Sequence, residues 1–274
     1  MGDYSQNITK RFEHTRIKEG YCLICGCYGR LSIDHVPPKG AVVITKVEQR
    51  HITEMIRAES TRIKGVVSSN GAKFKTICHS CNNRHLGGND SEIANVCKKL
   101  TTKINKYYES PFGLFRSIKV ELNTIKFTRA MVGHILAATS VNDCRNKPMY
   151  SPFFKLLQNF VLGDDTAMSA THDIYYWYYP FDKHLSAKCV GFWNKGHSVT
   201  LSLLSFFPIA FMVTEKNRGI YPSHARKLEL CEREMILNLS TEYIEYAEFP
   251  FHGLKGNQMM VMTDYQTIIS HPIK

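Results

Sequence analysis

The sequence predicts an α+β protein in two parts, residues 1–110 and residues 111–274. The first part is the more basic: it has 18 Lys or Arg against 10 Asp or Glu, whereas the second part has 17 against 14. The second part holds 24 of the 31 aromatic residues, in short apolar runs separated by turn residues, a pattern typical of strands. We therefore expect a basic front that faces a polyanion and a packed α+β rear domain with a mainly antiparallel sheet.

Four cysteines of the first part form two Cys-x-x-Cys pairs, Cys22 with Cys25 and Cys78 with Cys81. Two such pairs are typical of a tetrahedral zinc site that is closed by four thiolates. With no export signal at Met1–Lys10, we expect a cytoplasmic protein in which the other cysteines are free thiols. These are Cys27, Cys97, Cys144, Cys189 and Cys231.

Between the two pairs lies the dipeptide Asp34-His35, at the end of a predicted hairpin. Successive strand residues point to opposite faces, so a site shared by both side chains requires the chain to leave regular strand geometry here. Pro37 and Pro38 supply a reason for such an exit. Asn82 follows the last cysteine, which gives the order Cys-x-x-Cys, Asp-His, Cys-x-x-Cys-Asn.

Over residues 21–88 this order resembles that of the HNH (ββα-metal) endonucleases of the zinc-stapled kind, to which phage recombination endonuclease VII belongs. The resemblance implies a zinc-stapled ββα nuclease domain at residues 1–110, in which the four cysteines hold a structural Zn²⁺. It further implies that His35 is the general base and that Asp34 and Asn82 bind a catalytic Mg²⁺ or Mn²⁺. Oxygen ligands suit such hard cations, whereas thiolates suit zinc.

The chain departs from the family pattern at two places. Many members have an Asn shortly before the second cysteine pair, where this chain has residues 73–76, and many have a Lys where this chain has His85. The candidate nucleic-acid contacts near the motif are Arg84, His85, Lys39, Lys73 and Lys75.

The predicted function is therefore a metal-dependent endonuclease that hydrolyses phosphodiester bonds in DNA, with RNA left open as a substrate. One alternative is a non-catalytic zinc-ribbon nucleic-acid-binding protein with a degenerate metal site, in which Asp34-His35 only supports the zinc. Another is a toxin or antiviral defence effector with the same chemistry. In that case the C-terminal part, which we expect to contribute no attacking base, would bind a regulatory protein, respond to a signal or position the substrate.

Membrane insertion is not expected, because the longest apolar run, about residues 201–213, is interrupted by Pro208 and is shorter than the ~20 residues of a spanning helix. We place the domain boundary near Pro111-Phe112-Gly113. His134 lies on an apolar helix, and we expect it to be a core histidine with satisfied hydrogen bonds rather than a metal ligand.

Hydrophobic spacing and turn residues predict the other elements. Helices are expected at Lys46–Lys64, Ser91–Glu109, Thr124–Ser140 and Ser151–Leu162, with a loop at Val67–Lys73 and a helix end at Gly87-Gly88. Strands are expected at Ser117–Leu122, Asp173–Phe181, Ala187–Asn194, Ser198–Ser205, Phe207–Thr214 and about Met259–Thr263. The stretch Ala225–Leu239 fits either a helix or a strand.

Overall fold

The structure, a computed structural model, describes residues 15–51, 65–110, 116–251, 258–262 and 266–273. It contains both helices and sheets, as the sequence predicts, and all the strand pairings among these residues are antiparallel. The strands in chain order are β1 (Glu19–Tyr21), β2 (Tyr28–His35), β3 (Val47–His51), β4 (Val66–Ser68), β5 (Lys73–Cys78), β6 (Ser117–Glu121), β7 (His172–Tyr178), β8 (His184–Asn194), β9 (His197–Phe206), β10 (Ile209–Glu215), β11 (Arg226–Lys227), β12 (Glu234–Asn238), β13 (Gln258–Met262) and β14 (Thr267–Pro272). The α-helices are α1 (Gly87–Glu109), α2 (Thr124–Ala137) and α3 (Pro152–Leu162).

A small sheet with the order β1-β2-β5 precedes the first helix. The pairing of β2 with β5 shifts register between Ser32 and Asp34. A bulge of this kind turns side chains away from their regular positions on a strand. The predicted hairpin end at Asp34-His35 is therefore confirmed as the end of β2, next to an irregularity in the sheet.

A π-helical turn at Cys81–Leu86 runs directly into α1. The predicted helix end at Gly87-Gly88 is wrong. Gly87 has right-handed helical dihedrals, and its backbone N–H donates to the carbonyl of Asn82. The side chain of Asn89 also donates to the carbonyl of His85, at 2.6 Å, so the two glycines are tolerated inside one continuous helix.

The large sheet has the order β11-β7-β10-β9-β8-β14-β3-β4, and β13 pairs with the second half of β8. The predicted helix at Lys46–Lys64 is wrong over Val47–His51, which is strand β3, while residues 52–64 lie outside the described residues. Burial alternates along β3, so its period is that of a strand, and β14 supplies its hydrogen-bonding partner. The predicted loop at Val67–Lys73 is shorter than expected, because β4 and β5 take residues from both of its ends.

Helix α2 lies in the middle of the molecule, with contacts to α1, α3, β5, β8 and β9. It begins at the predicted Thr124 but ends at Ala137 rather than Ser140. A Cβ atom at Gly133 would overlap the side chain of Leu86, so glycine allows α2 to approach the π-helical turn closely. Helix α3 has the predicted start, with the hydroxyl of Ser151 accepting from the N–H of Phe154.

The C-terminal strands largely follow the sequence prediction, and Ala225–Leu239 contributes the two strands β11 and β12 rather than a helix. Residues from both sides of position 110 pack in one hydrophobic cluster, and β3 lies in the same sheet as the C-terminal strands. The boundary proposed at Pro111–Gly113 lies outside the described residues.

Burial of His172 makes the fold sensitive to acid. This side chain is 5% exposed, its Nε2 atom has no hydrogen-bond partner in the described part of the chain, and its ring packs against Phe153. Burial lowers its pKa to about 4 in spite of the opposing effect of Glu215. The unfolded chain takes up this proton near the ordinary pKa of about 6.5, so stability is retained above that pH and is lost as the pH falls toward 4.

As the pH falls from about 7.5 to about 5, we expect the protonation linked to His172 to lower the free energy of unfolding by about 2 kcal/mol. His172→Phe replaces the imidazole with an aromatic ring that cannot titrate. The free energy of unfolding of this variant, measured by urea denaturation, should therefore fall less over this pH range. His197→Gln, at an exposed position, is the matched control and should follow the wild type. An equal loss in the wild type and His172→Phe would contradict the argument.

Candidate functional site

The four cysteines of the two Cys-x-x-Cys pairs come together in space. Cys22 and Cys25 lie between β1 and β2, Cys78 ends β5, and Cys81 begins the π-helical turn. Their sulfur atoms all lie within 4.8 Å of one another, and the Cys25 and Cys78 sulfurs are 3.8 Å apart. Four thiolates at such spacing could hold a metal such as zinc, as the sequence predicts.

The backbone around the first pair is folded into a tight turn. The N–H of Cys22 donates to the carbonyl of Cys27 at 2.9 Å, and the N–H of Gly26 donates to the carbonyl of Cys22 at 2.8 Å. Gly26 has a φ of 74°, which favours glycine. The N–H of Cys78 also donates to the sulfur of Cys22, at 3.3 Å, and such a bond stabilises a thiolate.

The protonation of the cluster indicates why a cation would stabilise it. A hydrogen bond from Cys81 lowers the pKa of Cys22 to about 5, and the same interaction raises the pKa of Cys81. Burial raises the pKa of Cys25 to about 12. The sulfurs cannot all ionise side by side without a positive charge, and a bound zinc ion provides that charge.

Asp34 and His35 have different surroundings at the end of β2. Asp34 is 5% exposed and faces helix α2, whereas His35 is half-buried near Lys39, Lys73 and the backbone of Asn70. The π-helical turn contacts β2 just before them, at Ser32 and Ile33.

His35 has the features of a neutral imidazole that can accept a proton. Burial lowers its pKa, and the positive charges of Lys39 and Lys73 lower it further, against the opposing effect of Asp34. Its Nε2 atom is buried and has no hydrogen-bond partner among the described residues. A nitrogen in this state can accept a proton from a bound water molecule.

Asn82 connects the π-helical turn to the end of β2. Its side-chain nitrogen donates to the hydroxyl of Ser32 at 2.9 Å and to the carbonyl of Ile33 at 2.8 Å. These bonds hold Asn82 beside the residue that precedes Asp34. They use the amide nitrogen only, so the amide oxygen stays available as a ligand for a hard cation.

The sequence analysis missed the partner of Asp34. The Nδ1 atom of His134 lies 3.0 Å from Oδ2 of Asp34, and its Nε2 atom lies 2.9 Å from Oδ1 of Asp90. His134 is fully buried. Burial alone would lower its pKa, but the two carboxylates raise it to about 10, so the ring is a cation at neutral pH.

The expectation of a satisfied core histidine is confirmed, since both nitrogens of His134 have partners. Because His134 belongs to α2, the C-terminal part does contact Asp34, but both ring nitrogens of His134 are engaged there, so neither is free to act as a base. The signal available in the sequence was a single histidine in an otherwise apolar helix.

The predicted nucleic-acid contacts surround His35 and Asn82. Lys39 follows β2 and is exposed, and Lys73 and Lys75 are two residues apart on β5, so they share one face of the strand. Arg84 and His85 lie in the π-helical turn, where Arg84 is exposed and His85 is half-buried. A phosphate contact by these side chains stays a prediction.

No family model, curated protein or solved structure matches the chain. Among the described residues, no helix has the length and apolar character needed to cross a membrane.

The four-cysteine cluster predicts about one tightly held zinc ion per purified chain. Cys22→Ser or Cys81→Ser should abolish this zinc and lower the melting temperature, because the sulfurs would no longer form a complete tetrahedral ligand set. The measurements are elemental analysis and differential scanning calorimetry.

Cys27→Ser is the matched control, since this exposed cysteine lies next to the cluster but outside it. It should keep both the zinc and the melting temperature. A folded, reduced wild-type preparation that contained no zinc would refute this prediction.

Proposed function

We propose that this protein is a metal-dependent endonuclease of the HNH kind that hydrolyses phosphodiester bonds in DNA. The observation that carries the proposal is the pair of hydrogen bonds from Asn82 to Ser32 and Ile33. These bonds hold Asn82, the residue after the second cysteine pair, next to Asp34-His35. In the sequence, most of the motif lies between Asn82 and this dipeptide. The antiparallel pair of β2 and β5, followed by a helix, supports a ββα arrangement in which β3 and β4 are inserted between the two strands.

The oxygen atoms available at this site suit a hard divalent cation. Oδ2 of Asp34 is engaged by His134, which leaves Oδ1 as a ligand, and Asn82 offers its amide oxygen. A carboxylate, an amide oxygen and water molecules are the ligands that Mg²⁺ or Mn²⁺ prefers. When bound, the cation supplies positive charge against the scissile phosphate and the leaving oxygen.

His35 is the proposed general base. Burial and the nearby Lys39 and Lys73 keep its ring neutral, and its free Nε2 atom can take the proton of the attacking water. The basic residues around it, including Arg84, would hold the phosphate backbone. A formal net charge of +11 favours a polyanionic substrate, for which duplex DNA is proposed and RNA is the alternative.

One observation favours a second candidate, a zinc-stapled nucleic-acid-binding protein without catalysis. Asp34 already has a buried cationic partner in His134, and this positive charge opposes the binding of a further cation to the same carboxylate. In that case Asp34 would only connect β2 to α2, and the basic surface would bind nucleic acid without cleaving it.

His35→Ala separates the two candidates. We expect this variant to fold, to keep its zinc and to bind DNA, because affinity depends mainly on phosphate contacts. Its cleavage rate should fall by about 100-fold or more, since the general base is gone. Plasmid, linear, branched and RNA substrates should be tested with Mg²⁺ and with Mn²⁺, and binding should be followed by gel shift.

His197→Ala, at an exposed histidine on β9, should cleave like the wild type. If the wild type binds DNA but cleaves none of these substrates with either cation, the non-catalytic candidate is correct. If it cleaves and His35→Ala cleaves at the same rate, the base has been assigned to the wrong residue.

Asn82→Ala should reduce cleavage in a different way. It removes a proposed ligand and leaves the base in place, so higher concentrations of Mg²⁺ should restore part of the activity. The measurement is the cleavage rate as a function of Mg²⁺ concentration. Asn83→Ala, the adjacent exposed amide, is the control and should leave the Mg²⁺ dependence unchanged. A purely catalytic defect in Asn82→Ala, with no rescue by the cation, would contradict its role as a ligand.

A further inference from the structure

Asp34, His134 and Asp90 form a buried chain of hydrogen bonds that connects three elements. Asp34 is the next-to-last residue of β2, His134 lies in the last turn of α2, and Asp90 lies in the first turn of α1. The two contacts measure 3.0 Å and 2.9 Å. The side chains of His134, Asp34 and Asp90 are 0%, 6% and 28% exposed, so the chain extends from the core toward the surface.

The hydrogen-bonding chemistry fixes the imidazole ring at both ends. Each ring nitrogen faces a carboxylate oxygen, and a carboxylate can only accept. Both nitrogens therefore carry a proton and donate. A ring held in this way cannot rotate, and it presents one N–H to Oδ2 of Asp34.

The helix that carries Asp90 also carries Asn82. The π-helical turn and α1 are continuous through Gly87, and α2 is brought against this segment by the contact between Gly133 and Leu86. One rigid segment therefore holds Asn82 against β2 and Asp90 against His134. The position of Asn82 and the orientation of Asp34 are set by the same helix.

We propose that His134 and Asp90 are positioning residues for Asp34: they hold its Oδ2 atom so that its Oδ1 atom is directed to the divalent cation shared with Asn82. The inference rests on the proposed function. Hydrogen-bonded partners of metal ligands commonly orient those ligands, and their loss lowers metal affinity or activity by about 10- to 100-fold.

Asp90→Asn is the informative substitution. It has nearly the same shape as Asp90, removes the anion that anchors the far side of the ring, and lies at a partly exposed position. His134→Ala is less suitable because it would leave Asp34 buried without a partner. Glu109→Gln, an exposed acid-to-amide change at the other end of α1, is the matched control.

The experiment uses the full chain loaded with zinc. It measures Mn²⁺ binding by calorimetry and, separately, the cleavage rate of plasmid DNA as a function of Mn²⁺ concentration. We expect Asp90→Asn to weaken Mn²⁺ binding by about 10- to 100-fold and to shift the cleavage midpoint by the same factor. The rate at saturating Mn²⁺ should stay close to that of the wild type, since His35 and Asn82 are intact. Zinc content should be unchanged, and Glu109→Gln should behave like the wild type.

Wild-type cleavage together with an Mn²⁺ affinity that is the same in Asp90→Asn would overturn the positioning role and leave the proposed function standing. A loss of rate at saturating Mn²⁺ without a change in affinity would also overturn it. A wild-type protein that neither binds Mn²⁺ at this site nor cleaves DNA would overturn the proposed function, and the inference with it.

Discussion

The burial of the Asp34 carboxylate is the constraint that explains the polar contacts between the small sheet, α1 and α2. Leaving a buried charge without its partner costs about 3–5 kcal/mol, and His134 is the partner that prevents this cost. Because His134 is itself buried and cationic, it needs the second carboxylate of Asp90. The small sheet, α1 and α2 are therefore held together by one polar chain inside an otherwise apolar contact.

The cysteine cluster also connects the small sheet to the π-helical turn. It joins the turn before β2, the end of β5 and the start of the π-helical turn, so Asn82 has little freedom once the sulfurs are bound. The C-terminal part supports this arrangement directly. Gln158 donates to the carbonyl of Leu23 at 2.8 Å, and the hydroxyl of Thr76 donates to the carbonyl of Ala137 at 2.6 Å. A site assembled from short motifs thus depends on packing far along the chain.

The sequence was most informative where residue chemistry and spacing act locally. The Cys-x-x-Cys pairs, the end of β2 at His35 and the Ser151 cap could each be read within a few residues. Prediction failed where a distant partner decides the outcome. The apolar spacing that begins at Val47 fits a helix over Lys46–Lys64, but the hydrogen bonds offered by β14 make Val47–His51 a strand. The ion pair between Asp34 and His134 joins residues 100 positions apart, and no local pattern reports such a contact.

The pairing of β3 with β14 has a consequence for the biosynthesis of the protein. β3 lies between the two halves of the motif, yet its partner strand is translated last among the described elements. A nascent chain can close its cysteine cluster and pair β3 with β4 early, but the other edge of β3 has no partner strand until β14 leaves the ribosome. The large sheet is therefore completed only after nearly all of the described chain has been made, and a translation product truncated before β14 would leave one edge of β3 unpaired.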